Sequence, residues 1–184
     1  MLTRDDALAL LKTHLTEPAM IAHSLESEAV LRALAKRLGK DEEMWGLAGL
    51  LHDLDYAATK DAPERHGLVS AELLAGKLPD EAVEAIRAHN GERTGCPPTT
   101  DFHFALRCGE TVTGLIHTNA LVRPQRMEGM DAKSLKKKMK DKAFAASVCR
   151  ETIGECQKLG LEPSEFFTIA IAAVAGVAGE VGLA

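Results

Sequence analysis

The sequence predicts an all-α protein, and three observations lead to that expectation. Apolar residues make up 46% of the chain and aromatic residues only 4%. The helix formers alanine, leucine, glutamate and lysine are plentiful, which favours helices over a β-sandwich or barrel. Residues that begin and end helices recur along the chain, and no clear β-hairpin signal is present. With 184 residues, the chain is long enough for one well-buried domain.

The first three helices are marked by their caps. Thr3 is placed to cap the first helix. Pro18 suits the opening of a second helix over 18–38, which a glycine then ends. Asp41 caps the stretch "EEMWGLAGLLH", whose broad apolar face predicts a core helix ending near His52.

The middle of the chain contains two further predicted helices. The stretch "DYAATKDAP" has turn composition, and Pro63 is expected to start the next helix with His66 in or near its first turn. Asp80 is expected to cap "EAVEAIRAH", and the Asn-Gly pair at 90–91 marks its end. His89 is therefore predicted to lie at a helix terminus.

The carboxy-terminal part is also predicted to be helical. A helix beginning near Asp101 carries "FHFALRCGETVTGLIHTNAL", and Pro124 ends or bends the chain beyond it. A short basic helix, "DAKSLKKKMKDK", is followed by "AFAASVCRETIGECQKLG" and a final apolar helix, "FFTIAIAAVAGVAG". Because this last stretch is short and is followed at once by Glu180, we expect a buried or oligomer-facing helix and no membrane span. The oligomeric state is open, with a homodimer among the alternatives.

Charge and cysteine content restrict the class of protein. The formal net charge of -5 gives no overall reason to expect a polyanionic partner, so nucleic-acid binding is disfavoured, although a local basic patch remains compatible with it. The start of the chain, "MLTRDDALALLK", is amphipathic and acidic and does not resemble a secretion signal. The cysteines form no CxxC pair, which predicts reduced thiols in a cytoplasmic protein. They are Cys96, Cys108, Cys149 and Cys156.

Histidines and carboxylates fall on different predicted helices or helix ends. Imidazole and carboxylate groups together suit zinc, iron, manganese or nickel, and side chains from separate helices can surround one point inside a bundle. Each residue alone has a simpler explanation, because a single histidine is more often hydrogen-bonded or solvated than bound to a metal. In chain order the candidates are His23, His52, Asp53, His66, His89 and Glu110.

The order of these residues resembles that in the HD domain of metal-dependent phosphohydrolases. The matching stretches are "AHSLESEAVLRALAKRLG", "WGLAGLLHDLDY", "ERHGLVSAELL", "EAIRAHN" and "ALRCGETVTGLI". The resemblance is closer to the branch that has "LLHD" and two extra histidines for a second metal. It continues through "ALVRP" and "SLKKKMKDKAFAASVCRETI", which are similar to a family of small predicted HD hydrolases. It implies a compact multi-helix HD bundle over residues 1–184, with a metal-site core at about 18–120 and additional helices at about 130–184.

The resemblance also implies a set of ligands for one or two divalent transition metal ions, with iron, manganese, nickel and zinc all open. The family usually has aspartate where this chain has Glu110, and one extra methylene moves the carboxylate by about 1 Å or more. A working variant, an altered metal preference and an impaired site remain open. The implied set is His23, His52, Asp53 and Glu110 for one ion, and His66 with His89 for the second, with Asp53 as the bridge.

The implied activity is a hydrolase reaction on a nucleotide or another small phosphoester, carried out by a water molecule that the metal activates. His52 and Asp53 are then the catalytic residues, with Asp53 orienting the nucleophile. Asp55 is expected either to accept a proton or to cap the turn that follows it. A diiron oxygenase of the same fold and a non-catalytic nucleotide-binding or partner-binding module are the alternatives.

Four basic residues are candidates for contact with a small phosphorylated substrate. The spacing of residues 103, 107, 110, 114 and 117 puts them on one helix face, which points either to solvent or over the metals. The lysine run over 136–142 is usually a solvated face, and a small anion is the expected ligand if it contacts phosphate, because the whole chain is acidic. The candidates are Arg107, His117, Arg123 and Lys137.

Overall fold

The protein is an all-α bundle, as its sequence predicts. A computed structural model describes residues 1–184 as eleven α-helices and two 3-10 turns, with no β-strand. The 3-10 turns are Pro63–Arg65 and Glu155–Leu159. The helices are α1 Arg4–His14, α2 Pro18–Leu38, α3 Glu42–Leu51, α4 Tyr56–Thr59, α5 Leu68–Leu74, α6 Asp80–Ala88, α7 Gly91–Thr94, α8 Asp101–Leu121, α9 Ala132–Lys140, α10 Arg150–Gly154 and α11 Pro163–Gly176.

The predicted caps of the first helices are present. The Thr3 hydroxyl accepts a hydrogen bond from the backbone N–H of Asp6, and the Asp41 carboxylate accepts one from that of Met44. Gly39 ends α2 in the left-handed conformation, with φ at 63°, as a helix-ending glycine often does. Local chemistry therefore sets the ends of the helices that carry the first histidines.

Two predicted helix starts are wrong. Pro63 opens only a single 3-10 turn, and His66 follows it in an extended conformation with φ −64° and ψ 126°. The helix that follows, α5, begins later because Gly67 turns the chain at φ 88°. Asp80 is the first residue of α6 and not its cap, since Pro79 occupies the cap position without a side-chain hydrogen bond.

The core connects all parts of the chain. A single cluster of 45 buried apolar residues extends from Ala7 to Leu183. Helix α2 packs against both α3 and α8. The contact between α2 and α3 is close at Gly49, where an added Cβ would lie 2.7 Å from the carbonyl oxygen of Ser27. This close approach brings the histidine-bearing parts of α2 and α3 together.

The apolar helix α11 is packed against the core. Phe166, Phe167 and Val174 are buried on it. No single helix is both long and apolar enough to cross a bilayer, and the one pair that meets the criterion jointly, Arg150–Leu159 with Pro163–Gly176, is bent by 105°. All four cysteines are unpaired.

Candidate metal centre

Imidazoles from four separate parts of the chain converge on Asp53. This aspartate follows the end of α3 and is buried, with 6% of its surface exposed. The Nε2 atoms of His52, His66 and His89 lie 3.3, 3.1 and 3.6 Å from its Oδ1, and that of His23 lies 3.6 Å from Oδ2. The structure thus brings together five of the six predicted metal ligands, with four imidazoles around the Asp53 carboxylate.

These five residues form two groups that share Asp53. In the first, His23 and His52 have their Nε2 atoms 3.2 Å apart, and in the second His66 and His89 have the same separation. The possible ligand atoms of each group lie within 4.8 Å of one another. Two nitrogens about 2.1 Å from one ion are about 3.4 Å apart in a tetrahedron and about 3.0 Å apart in an octahedron. The spacing of both imidazole pairs therefore fits a divalent transition metal ion.

Backbone carbonyls orient two of the imidazoles. The Nδ1–H of His52 donates to the carbonyl oxygen of Gly49 at 2.8 Å, and that of His89 donates to Ile86 at 2.7 Å. Each carbonyl lies in the last turn of a helix, where the regular pattern of intrahelical hydrogen bonds ends. The Ile86 carbonyl also accepts from the backbone N–H of His89 at 3.4 Å. With the proton on Nδ1, the lone pair of Nε2 is directed at Asp53, which is the tautomer that binds a metal.

A hydroxyl group orients His23. Its Nδ1 lies 2.9 Å from the Oγ1 of Thr113, and the Thr113 hydroxyl donates its own hydrogen to the carbonyl oxygen of Glu110 at 2.7 Å. The hydroxyl must therefore accept from the Nδ1–H of His23, which again leaves Nε2 free to bind. Thr113 was not predicted, because a single threonine in a helix gives no signal in the sequence.

A buried carboxylate, Asp55, orients His66. Its Oδ1 accepts from the Nδ1–H of His66 at 2.8 Å, while Oδ2 accepts from the backbone N–H groups of Gly67 and Ser70 at 2.8 and 2.9 Å. Asp55 makes no capping hydrogen bond to α4 and is 1% exposed. The expected capping role is therefore not observed, and Asp55 instead holds a histidine in place. Its expected role as a proton acceptor stays a prediction.

Burial and the neighbouring groups have opposite effects on the pKa values of Asp53 and His66 at the centre. Burial of Asp53 opposes its ionisation, yet the surrounding imidazoles hold its pKa well below the usual range. Burial lowers the pKa of His52 to about 3, so this imidazole is neutral at neutral pH. Burial also opposes the protonation of His66, but hydrogen bonds to Asp53 and Asp55 raise its pKa to about 10. A cation is therefore favoured beside Asp53, and at His66 it would replace a proton.

Glu110, the sixth predicted ligand, lies at the edge of the centre. Its Oε2 is 3.8 Å from the Nε2 of His23, and the residue belongs to neither of the two close groups. The Thr111 hydroxyl donates to its Oε1. Burial raises the pKa of Glu110. The structure therefore places Glu110 beside the centre, and a bond from it to metal stays a prediction.

An open cleft of about 610 Å³ leads to the second imidazole group. Asp53, His66 and His89 line it together with Glu110 and Arg93. A slightly larger cavity of about 670 Å³ lies elsewhere, beside Trp45 and Phe102, and contains none of the clustered histidines. Access to the metal centre is therefore through the smaller of the two spaces.

Arg107 is the only one of the four predicted substrate residues that lines this cleft. Its side chain is 1% exposed, and its guanidinium is paired with Glu92 and Glu155. Its Nη1 also donates to the carbonyl oxygen of His89 at 3.0 Å. These contacts occupy the guanidinium and hold His89 in place, so the geometry does not favour direct contact with substrate.

The other three predicted substrate residues lie away from the cleft lining. His117 is hydrogen-bonded to Glu26, with 2.6 Å between Nδ1 and Oε1, and Arg123 donates to the carbonyl oxygen of Glu128. Lys137 is exposed on α9. Contact between these side chains and a substrate stays a prediction without support from the geometry.

Arg93 is a cleft residue that the sequence did not single out. It is exposed, lines the cleft, and makes no ion pair or side-chain hydrogen bond. Its place in the segment that connects α6 to α8 was the available signal, because binding residues are frequent in connecting segments.

Comparison with known proteins supports the resemblance. The family model described as the HD domain matches residues 20–141. Ribonuclease Y of Desulfotalea psychrophila is 28% identical over 155 residues, which are 76% of this chain and 28% of that protein. Ribonuclease Y of Nitratidesulfovibrio vulgaris is 30% identical over 97 residues, which are 52% of this chain and 18% of that protein. Ribonuclease Y of a Nitratiruptor species is 39% identical over 72 residues, which are 39% of this chain and 14% of that protein. This chain thus spans less than a third of these relatives, and no solved structure matches it.

Proposed function

The chain belongs to the HD domain family, and on that premise we propose that it is a metal-dependent phosphohydrolase. The observation that carries the proposal is the sharing of Asp53 between two imidazole pairs, each with a spacing of 3.2 Å between Nε2 atoms. One or two divalent ions of iron, manganese, nickel or zinc fit these donors. Glu110 is included as a further ligand of the His23 and His52 group.

Some residues of the centre would bind the metal ions, and others would orient the nucleophile or the substrate. When bound, divalent ions would lower the pKa of a water molecule and neutralise charge on a phosphoryl group. Oδ2 of Asp53 lies near His23 of the first group, whereas Oδ1 lies near His52 of that group as well as near both imidazoles of the second. The two oxygens can therefore bridge the groups, and Asp53 can orient the nucleophile. His52 keeps its Nε2 lone pair available because its Nδ1–H is bonded to Gly49. Arg93 is free to bind an anionic part of the substrate at the cleft.

The substrate we propose first is a nucleotide or another small phosphoester. A cleft of about 610 Å³ is within the range of small-molecule sites. The names of the relatives favour a second candidate, the phosphodiester bond of RNA. A cytoplasmic location, expected from the unpaired cysteines, belongs to the same proposal.

The proposal is tested by metal analysis of protein purified without chelators, together with hydrolysis of p-nitrophenyl phosphate and bis-p-nitrophenyl phosphate. His52→Ala and Asp53→Ala should each lose metal and hydrolysis while circular dichroism shows retained helix content. His103→Ala is the matched control, because His103 lines the other cavity. Unchanged turnover in the first two variants would refute the assignment. Consumption of dioxygen with an iron-loaded protein would instead favour an oxygenase, and metal binding without any turnover would favour a binding module.

The Glu110→Asp variant tests the effect of having glutamate where the family usually has aspartate. If the glutamate is a variant of the usual site, the aspartate should preserve or raise the rate of hydrolysis. Complete loss of activity with normal metal content would mean that the glutamate geometry is required.

A further inference from the structure

Positive charge is concentrated in one segment of an acidic chain. Residues 121–150 contain nine Lys or Arg and only three Asp or Glu, although the whole chain has a net charge of -5. Six of these cations are lysines within 133–142, and none of the six is in an ion pair with a carboxylate. We propose that this segment binds a polynucleotide strand that crosses the catalytic cleft. The inference rests on the proposed phosphohydrolase function and, of its two candidate substrates, selects the second, the phosphodiester bond of a polynucleotide.

The basic segment adjoins the cleft through a side cavity. This cavity of about 430 Å³ is lined by Lys140, Lys142 and Arg150, and it shares Glu151 with the cleft. A ligand that occupied the cleft could therefore continue into a space walled by lysines. Glu151 stands at the junction and repels phosphate, so attraction on this side must come from the lysines.

A second side cavity adjoins a different part of the cleft lining. It has a volume of about 270 Å³ and shares Tyr56, His66, Asn90 and Arg93 with the cleft. Arg93 provides an unpaired cation there, and Lys60 lies over the Tyr56 ring at 5.4 Å from its centroid. The metal centre is thus flanked by two spaces that each carry basic side chains.

The lysines are held out towards solvent by the fold. Arg150 donates to the carbonyl oxygens of Ala145 and Val148, both at 2.6 Å, so it supports the turns that follow α9. Leu135 anchors α9 in the core. Lys140 and Lys142 are exposed and have no carboxylate partner. They are therefore available to bind phosphate without breaking an existing contact.

A strand fits this arrangement better than a mononucleotide or a bilayer. A mononucleotide would occupy the cleft and leave the lysine-lined cavity unused, whereas a strand carries phosphates on both sides of the one that reacts. Binding to a bilayer by a basic amphipathic helix needs exposed apolar side chains beside the lysines. The exposed large apolar residues are Met1, Leu121 and Val122, and none belongs to α9.

The test is fluorescence anisotropy with labelled single strands of about 12 nucleotides, as RNA and as DNA of one sequence. The test variant is Lys140→Ala with Lys142→Ala. The matched control is Lys12→Ala with Lys36→Ala, which makes the same change in charge at exposed lysines that line none of these cavities.

Loss of two phosphate contacts should reduce the slope of log affinity against log salt by about 1.4. The wild-type protein should therefore lose about sevenfold more affinity than the variant between about 50 and about 200 mM salt. The control should keep the wild-type slope. Equal binding of RNA and DNA would indicate recognition of the phosphate backbone alone. Preference for RNA would indicate that the protein also contacts the 2′-hydroxyl groups. Both outcomes support binding of a strand.

Three outcomes would overturn the inference: no strand binding, equal salt slopes for the two double variants, or tighter binding to phosphatidylserine vesicles than to either strand. Hydrolysis of bis-p-nitrophenyl phosphate separates this inference from the function on which it rests. Turnover of that small diester with no strand binding would reject the strand and keep the phosphohydrolase. Strand binding without turnover of any phosphoester would reject the phosphohydrolase and keep the binding surface.

Discussion

Asp55→Asn should weaken one metal group and spare the other. The Oδ2 position of Asp55 faces two backbone N–H groups, so the asparagine oxygen must take that position. The new amide NH2 group then faces the Nδ1 of His66, which has to become an acceptor. The proton of the neutral imidazole moves to Nε2, the atom that lies 3.1 Å from Asp53. His66 can no longer offer that lone pair to a metal.

The expected loss of metal affinity follows from the change at a single ligand, His66. Removing the outer partner of a metal-binding histidine typically costs 10- to 100-fold in metal affinity, or about 1.4 to 2.7 kcal/mol. We expect this loss at the group of His66 and His89. The group of His23 and His52 should change by much less. Thr113→Val should produce the reverse pattern, because it removes the acceptor for the Nδ1–H of His23.

Calorimetric titration with Mn²⁺ or Zn²⁺ resolves the two groups, and nitrogen NMR of the imidazoles in the zinc-loaded protein, where His66 is neutral, reports its tautomer. Asp61→Asn is the matched control, because it removes an equal charge at an exposed position in the same part of the chain. If Asp55→Asn weakened both groups equally, or left His66 in its original tautomer, the assignment of Asp55 as its orienting partner would be refuted.

Two further predictions concern the contacts of α2 with its neighbours. The hydrogen bond that the Nδ1–H of His117 donates to Glu26 raises the pKa of His117. This pair should therefore stabilise the fold below about pH 6.5 and lose its effect as pH rises through the raised value. Urea unfolding should accordingly show a larger gap between wild type and Glu26→Gln at about pH 6 than at about pH 9, and a gap independent of pH would contradict the pairing. Gly49→Ala places a Cβ 2.7 Å from the Ser27 carbonyl oxygen and should lower the free energy of unfolding by about 1–3 kcal/mol. Gly176→Ala should not lower the free energy of unfolding, because an added Cβ there meets nothing within 4 Å. Equal effects of the two substitutions in thermal unfolding would exclude a tight contact between α2 and α3.

The parts of the fold that depend on local chemistry were predictable from the sequence. Thr3, Gly39 and Asp41 act on backbone groups within their own helices, so their roles can be read without knowing the tertiary structure. The start of α5 could not be read in this way. Gly67 turns the chain at φ 88°, and an added Cβ there would lie 2.8 Å from the His89 ring. The position of His66 thus depends on packing between distant parts of the chain.

At the candidate site, too, some features could be predicted from the sequence and others depend on the tertiary structure. The convergence of the histidines on Asp53 was predictable because their order resembles a known family. The roles of Asp55 and Arg107 were not, because their partners are brought to them only by folding. Asp55 looks like a turn residue in the sequence, yet its partners are His66, Gly67 and Ser70. Helical spacing placed Arg107 on the correct face, but the sequence does not show that Glu92 and Glu155 occupy its guanidinium.

The pairing of Arg107 with Glu155 makes metal loading sensitive to a substitution at a residue that is not itself a ligand. Loss of the Glu155 carboxylate alone would leave a buried guanidinium with only one of its two carboxylates. Breaking such a pair typically costs about 3–5 kcal/mol. The disturbance would reach His89 through the carbonyl oxygen that Arg107 binds. A protein that lacks only this carboxylate could therefore be isolated poor in metal although every histidine of the centre is intact.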